Sequence, residues 1–92
     1  MNVQAEISLY PLRTNELGQA IGNFLGELKA AGLTVQPGNM SSVVAGEAGA
    51  IFSAVAAAFK AAAENGQVVL VMKVSNACPP GATTEGMDAD AG

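Results

Sequence analysis

Residues 33–46, LTVQPGNMSSVVAG, decide the fold of this chain. Residues 33–36 are typical of a short strand, and residues 41–46 are its expected hairpin partner. Between them, Pro37-Gly38-Asn39 favours a tight turn, because proline fixes its own backbone angle while Gly and Asn tolerate conformations that other residues avoid. We therefore place an antiparallel hairpin at the centre of the chain.

Two further strands are predicted, one at each end of the chain. Residues 4–12 alternate between apolar and polar side chains, and Pro11 ends the run because proline cannot donate to a sheet ladder. Residues 67–75 form a nearly continuous apolar strand. Its two faces are both largely apolar, and they carry Val68, Leu70, Met72 and Val74 on one side and Val69 and Val71 on the other.

Two helices separate these strands from the central hairpin. The first is expected to be capped by Thr14 or Asn15 and to end at Gly32, which suits the left-handed position after a helix. The second, residues 48–63, is stopped by Asn65-Gly66. The apolar stripes are Leu17, Ile21, Phe24, Leu25 and Leu28 in the first helix, and Ile51, Phe52, Val55, Phe59 and Ala62 in the second.

Glycines recur every four residues on one face of the first helix, at Gly18, Gly22 and Gly26. Each costs up to about 1 kcal/mol against alanine inside a helix. We interpret this face as one that packs closely against the sheet or the second helix.

The resulting order, β-α-β-β-α-β, predicts a ferredoxin-like α+β fold: a four-stranded antiparallel sheet with two helices on one face. Residues 1–79 form one domain in this interpretation, and residues 80–92 form a flexible acidic tail. The helices leave the other sheet face bare, and the apolar last strand and Tyr10 contribute to that face. We therefore expect a homodimer or tetramer that covers its sheet faces with another subunit.

Composition excludes several classes of function. The chain carries four basic and eight acidic residues and no histidine, so neither a basic nucleic-acid surface nor a histidine-dependent catalytic triad is available. One cysteine rules out a disulfide framework or a Cys/His zinc cage within one chain. The N-terminus has no signal-peptide pattern, and no apolar segment reaches the roughly 20 residues of a membrane span. We expect a cytoplasmic protein without metal or cofactor.

No motif for catalysis stands out. Residues 46–50, GEAGA, precede a helix but lack the Lys-Ser/Thr of a phosphate loop. The only acids outside the helices and the tail, Glu6 and Glu47, have no third group to support acid-base chemistry. We therefore predict that the protein is not an enzyme.

The most unusual segment is Ser75-Asn76-Ala77-Cys78-Pro79-Pro80-Gly81, where the last strand ends in small polar groups, a thiol and prolines. One interpretation is a polar lip on a pocket for a small heterocyclic ligand. The other makes Cys78 a small buried apolar residue. Further polar or adaptable groups at strands and strand ends are Ser8, Tyr10, Met40, Ser41 and Ser42.

Three segments carry a resemblance to a known family: AEISLYPL at residues 5–12, SVVAGE at residues 42–47 and SNACP at residues 75–79. In the same order, they resemble the YkoF-like proteins that bind thiamine or hydroxymethylpyrimidine, and the related single-repeat thiamine-binding proteins. YkoF-like proteins carry two repeats, so this chain would need a homodimer to supply the second. The usual Cys-Pro-Gly-Asp ending is here Cys-Pro-Pro-Gly, without the acid.

The resemblance implies non-catalytic binding of thiamine or its aminopyrimidine part, by a carrier, a sensor or an accessory to uptake. The polar edge of the ligand would meet Ser8, Ser42, Ser75 and Asn76, next to Cys78. The flat slot would be lined by Tyr10, Met40 and Phe52, with Glu47 facing the thiazolium cation. Two alternatives stay open, an ACT-like module that binds an amino acid between subunits and a purely structural oligomerisation domain.

Overall fold

The computed structural model describes residues 1–77 and confirms the predicted element order and fold class. One four-stranded sheet carries two helices, as in a ferredoxin-like fold. The predicted Cys78 site and acidic tail lie outside the described residues. The elements are β1 (Asn2–Pro11), α1 (Leu17–Ala30), β2 (Thr34–Pro37), β3 (Ser42–Glu47), α2 (Ala48–Glu64) and β4 (Val68–Ser75).

The strand order across the sheet is β2-β3-β1-β4, and every neighbouring pair is antiparallel. The longest strand, β1, lies between β3 and β4, with Ile7 opposite both Ser42 and Met72. At one end of the sheet, called the upper end here, β1 finishes and β4 begins. At the other, the lower end, Asn2 pairs with Glu47.

Alternation along β1 builds the core. Its odd-numbered side chains point at the helices because successive strand residues face opposite sides. The three largest fully buried side chains, Leu28, Val44 and Ile51, come from α1, β3 and α2. The remaining buried apolar residues are Val3, Ala5, Ile7, Leu9, Phe24, Leu33, Val55 and Ala58.

The opposite sheet face has no covering element within residues 1–77. Tyr10, Val69 and Val71 are each about half exposed there, at 49%, 46% and 48%. Next to them, the Glu6 carboxylate lies 3.8 Å from the Lys73 ammonium group. This open face therefore combines an apolar patch with one exposed ion pair.

The ends of the helices follow local chemistry, with one departure from the prediction. The Glu47 side chain accepts the backbone N–H of Ala50 at 3.1 Å and so caps α2. Gly32 has φ +89°, which confirms its left-handed position after α1. The predicted cap of α1 is wrong: Glu16 takes the capping position without a side-chain bond, and its own N–H donates to the Thr14 hydroxyl.

Two predictions about helix faces also need correction. Phe52 was placed on the apolar side of α2, but it is 55% exposed, because Ile51, Val55 and Ala58 define the face that meets the core. The glycines of α1 are exposed, and a Cβ added at Gly22 or Gly26 would meet nothing within 4 Å. Close packing inside residues 1–77 therefore does not explain them.

Candidate functional site

The predicted site residues fall into two groups at opposite ends of the sheet. Ser8, Tyr10, Met40 and Ser42 lie at or near the upper end. Glu47, Ser75, Asn76 and Phe52 lie at or near the lower end, where β3 and β4 finish and α2 begins. Ser75 is opposite Gln4, four residues from Ser8, which corresponds to about 13 Å along the strand. The fold does not bring the two groups into one pocket.

Three residues of the upper group, Ser8, Met40 and Ser42, border a small cavity of about 90 Å³, called the serine cleft here. Ser8 and Ser42 come from opposite faces of the sheet, because Ile7 is the residue opposite Ser42. The hydroxyl of Ser8 donates to the Met40 carbonyl at 3.3 Å. The cleft is lined by Ile7, Ser8, Leu9, Ile21, Phe24, Leu25, Gly38, Asn39, Met40, Ser41 and Ser42.

Size and hydrogen bonding both limit what the serine cleft can hold. Small-molecule pockets usually measure about 300–1,000 Å³, so this cavity is several times too small for a heterocycle with substituents. The Ser41 hydroxyl is also engaged, since it donates to the Glu6 carboxylate at 3.0 Å. Outside the cleft, Tyr10 belongs to the open face, and the Met40 side chain is 89% exposed.

The lower group is exposed and already makes local contacts. Besides capping α2, the Glu47 carboxylate lies 3.6 Å from the N-terminal ammonium group of Met1. The Ser75 hydroxyl accepts the N–H of Ala77 at 3.0 Å, and Asn76 is exposed beside it. None of these residues lines the serine cleft, the amide cleft described next or a further cavity of about 450 Å³ between α1 and α2.

A larger cavity of about 390 Å³ lies on the other side of α1 and is called the amide cleft here. It is bordered by the end of β1, α1, the end of α2 and the start of β4. Its volume is within the range of small-molecule sites. The lining residues are Pro11, Leu12, Thr14, Glu16, Gln19, Ala20, Asn23, Ala62, Asn65, Gly66, Gln67 and Val68.

Four carboxamide side chains distinguish this cleft, those of Gln19, Asn23, Asn65 and Gln67. Gln19 and Asn23 are one turn apart on α1 and therefore project from one face of the helix. Asn65 donates through Nδ2 to the Ala61 carbonyl at 3.4 Å, which leaves its Oδ1 as an acceptor. Within residues 1–77, the other three amides have no side-chain hydrogen bond.

The chemistry of the amide cleft suits binding better than catalysis. Each carboxamide offers a donor and an acceptor side by side, and Glu16 adds one carboxylate to the lining. Leu12, Ala62 and Val68 supply apolar surface. No cluster of three or more His, Cys, Asp or Glu able to hold a metal occurs in the described part of the chain.

The sequence pattern did not identify these four amides as site residues. The signal available was the spacing of Gln19 and Asn23, which puts two amides on one face of an amphipathic helix. Asn65 and Gln67 were assigned only to a turn and the start of a strand. Their approach to α1 depends on how the helices pack on the sheet, which sequence spacing alone does not give.

Comparison with known proteins places this fold in a recognised group. Residues 2–81 match the sequence pattern described as the YKOF-related family, which is most of the chain. A search of the curated proteins finds no match. Within residues 1–77, no helix is long and apolar enough to cross a membrane.

Solved structures with the same fold come from several microorganisms. A hypothetical protein from Methanocaldococcus jannascii is 22% identical with a TM-score of 0.77, covering 98% of this chain and 94% of that one. A protein from Thermotoga maritima, named for a provisional role in thiamine biosynthesis or salvage, is 19% identical with a TM-score of 0.76 and full coverage of both chains. A domain of unknown function from Bacillus cereus is 19% identical with a TM-score of 0.73, covering 95% and 86%. At these identities the likeness shows the fold alone.

Proposed function

Because the chain belongs to the YKOF-related family, we propose that it binds thiamine or the hydroxymethylpyrimidine part of thiamine without converting it chemically. The Thermotoga maritima protein of the same fold carries a thiamine-related name, which supports this choice of ligand. The observation that carries the proposal is the amide cleft, which is large enough for a small heterocyclic ligand and is lined by neutral hydrogen-bonding groups. The protein would act as a carrier, a sensor or an accessory to uptake in the cytoplasm.

The aminopyrimidine ring matches the groups in this cleft. Its amino group donates and its ring nitrogens accept, so a carboxamide can pair with it through two parallel hydrogen bonds. Asn23 and Gln19 on α1 are the proposed partners of this edge, and Leu12 and Val68 offer apolar surface for the flat ring. In thiamine, the thiazolium cation would be attracted to the Glu16 carboxylate.

The residues predicted from sequence define the alternative location for the same ligand. Ser8, Met40 and Ser42 meet at the serine cleft, and the loop at residues 38–41 would have to move to admit a ring. Glu47, Ser75 and Asn76 would then contribute only if a second subunit brought its lower end against the first. The two locations differ in the residues whose substitution should weaken ligand binding, so mutagenesis distinguishes them.

Calorimetric titration and thermal unfolding of the full chain test the function. At about 100 times the dissociation constant, a ligand adds about 2.7 kcal/mol, which raises the Tm of a domain this size by several degrees. We expect thiamine and hydroxymethylpyrimidine both to bind. Failure of both, or stabilisation by an amino acid instead, would contradict the proposal, and the second result would favour the ACT-like alternative.

Matched single substitutions test the location. N23A removes a lining amide from an exposed helix position, and we expect it to weaken binding about tenfold or more, since it deletes hydrogen bonds to the ligand. S53A alters an exposed polar residue of α2 that lines none of the three cavities, and it should leave affinity unchanged. If S8A or S42A abolishes binding while N23A does not, the ligand occupies the serine cleft.

We also propose that the protein works as a homo-oligomer that covers its open sheet face. Tyr10, Val69 and Val71 form an exposed apolar patch on that face, of the kind that often marks an interface. Measurement of the molecular mass in solution by light scattering checks this. A monomer with and without ligand would contradict the oligomeric part of the proposal and leave ligand binding intact.

A further inference from the structure

The two edges of the sheet are protected very differently. The β2 edge has only four residues and ends at Pro37, and short strands and prolines are common protections against unwanted pairing. The β4 edge has eight residues, VVLVMKVS, with no proline and an unbroken register against β1. Lys73 is its only charged residue. Among residues 1–77, no strand pairs with the outer side of β4.

The backbone groups that remain free on β4 can be identified from one hydrogen bond. Leu12 donates its N–H to the carbonyl of Gln67 at 2.8 Å, and these residues are opposite each other in the continued register. In an antiparallel ladder, hydrogen-bonded pairs alternate with non-bonded ones. Val69, Val71, Lys73 and Ser75 therefore direct their N–H and C=O groups toward β1. The residues that direct theirs outward are Val68, Leu70, Met72 and Val74.

We infer that this edge pairs antiparallel with the same edge of a second copy, so that two sheets join into one of eight strands. The self-complementarity of β4 argues for a second copy as the partner. With Val71 opposite its own counterpart on a twofold axis, Val68 pairs with Val74 of the partner and Leu70 with Met72 of the partner. In this register every outward N–H and C=O of the four residues gains a partner.

Other registers also place the helix-side faces of both copies on the same side of the joined sheet, but they pair the strands less favourably. Centring the axis on Leu70 or on Met72 leaves one outward-facing residue at the end of each strand unpaired. Centring it on Lys73 opposes two like charges, which destabilises a cross-strand pair. In the Val71-centred register, Lys73 is opposite Val69 of the partner.

The side chains on the helix side of β4 agree with this register. On the helix side, Val68, Leu70 and Met72 are only partly buried and Val74 is 38% exposed, so the pairing would extend the core across the axis. In the joined sheet, the open faces of the two copies lie on the same side, and all four helices lie on the other. Edge pairing is therefore a different contact from the face covering proposed above, and it does not depend on ligand binding.

A register-specific charge test uses Val69, which is 46% exposed on the open face, so a charged side chain there still reaches solvent within one subunit. V69K would oppose Lys73 of the partner twice per dimer, and we expect about a tenfold rise in the dimer dissociation constant by sedimentation equilibrium. V69E would form two opposite-charge pairs and should weaken association about tenfold less than V69K, because a charge at this position affects a contact through the open face in the same way in both variants.

A disulfide test locates the axis directly. In a C78S background, V71C places two thiols in a non-hydrogen-bonded pair with Cα atoms about 4.5 Å apart, which suits a disulfide. Oxidised glutathione should then give a covalent dimer. V69C is the control, because its own counterpart would be about 13 Å away along the strand.

Three results would overturn the inference. The first is a full chain that stays monomeric at its highest soluble concentration. The second is equal weakening by V69K and V69E, which would show that the partner's Lys73 does not lie opposite residue 69. The third is cross-linking of V69C as readily as V71C. Failure of thiamine binding would leave all three measurements interpretable.

Discussion

Glycines four residues apart in a helix usually allow close packing, but the exposed glycines of α1 are expected only to destabilise the helix. A Cβ added at Gly22 or Gly26 meets no atom within 4 Å outside the adjacent helix backbone. Alanine is favoured over glycine in a helix interior by about 1 kcal/mol, because glycine loses more backbone entropy on folding. G22A and G26A should therefore each stabilise the protein by about 1 kcal/mol, and the double variant by about 2 kcal/mol if the effects add.

Urea unfolding followed by far-ultraviolet circular dichroism measures this directly. For a domain of this size, about 1 kcal/mol also raises the Tm by roughly 4–8 °C. Measurements at two protein concentrations separate an intrinsic effect from a change in self-association. A loss of stability in G22A or G26A, larger at the higher concentration, would contradict this prediction and would mean that this helix face packs against another chain.

Other predictions concern the core, the caps and the turns. G46A should destabilise the protein by about 1–3 kcal/mol in urea unfolding, since its Cβ would lie 2.8 Å from Cδ2 of Leu33. G32A should lower the free energy of unfolding by about 1 kcal/mol because φ is +89° there; a neutral result would mean that the turn relaxes. E47A should lose about 1 kcal/mol by removing the α2 cap, and E47D should recover part of it. L28A should cost about 2–5 kcal/mol, because this side chain is completely buried.

The element order could be predicted because each segment carries a clear period or a clear stop. Alternation defines β1, helical spacing defines α1, and Gly32 ends it in the left-handed conformation that was expected. These features are local in the sequence, so they can be identified without knowing which elements pack against each other. For β1, the predicted strand at residues 4–12 differs from the observed Asn2–Pro11 by no more than two residues at either end.

The sites were harder because they depend on register and packing. Ser8 and Ser42 are predicted to meet the polar edge of one ligand, but the register puts Ile7 opposite Ser42, so the two serine side chains start from opposite faces of the sheet. Phe52 follows the buried Ile51 by one position and consequently turns about 100° around the helix, into solvent. The amide cleft draws on four elements or their ends, and no single segment of sequence indicates it.

Titration of the full chain with hydroxymethylpyrimidine, followed resonance by resonance in NMR spectra, is the most direct test of ligand binding at the amide cleft. Proton–nitrogen correlation spectra resolve the side-chain NH₂ groups of Asn and Gln, so they report on the amide cleft itself. We expect saturable shifts of the side-chain NH₂ resonances of Gln19 and Asn23, with those of Asn39 and Asn76 unchanged. Shifts confined to the backbone near Ser8 and Ser42 would move the ligand to the serine cleft, and no saturable shift anywhere would contradict thiamine-type binding.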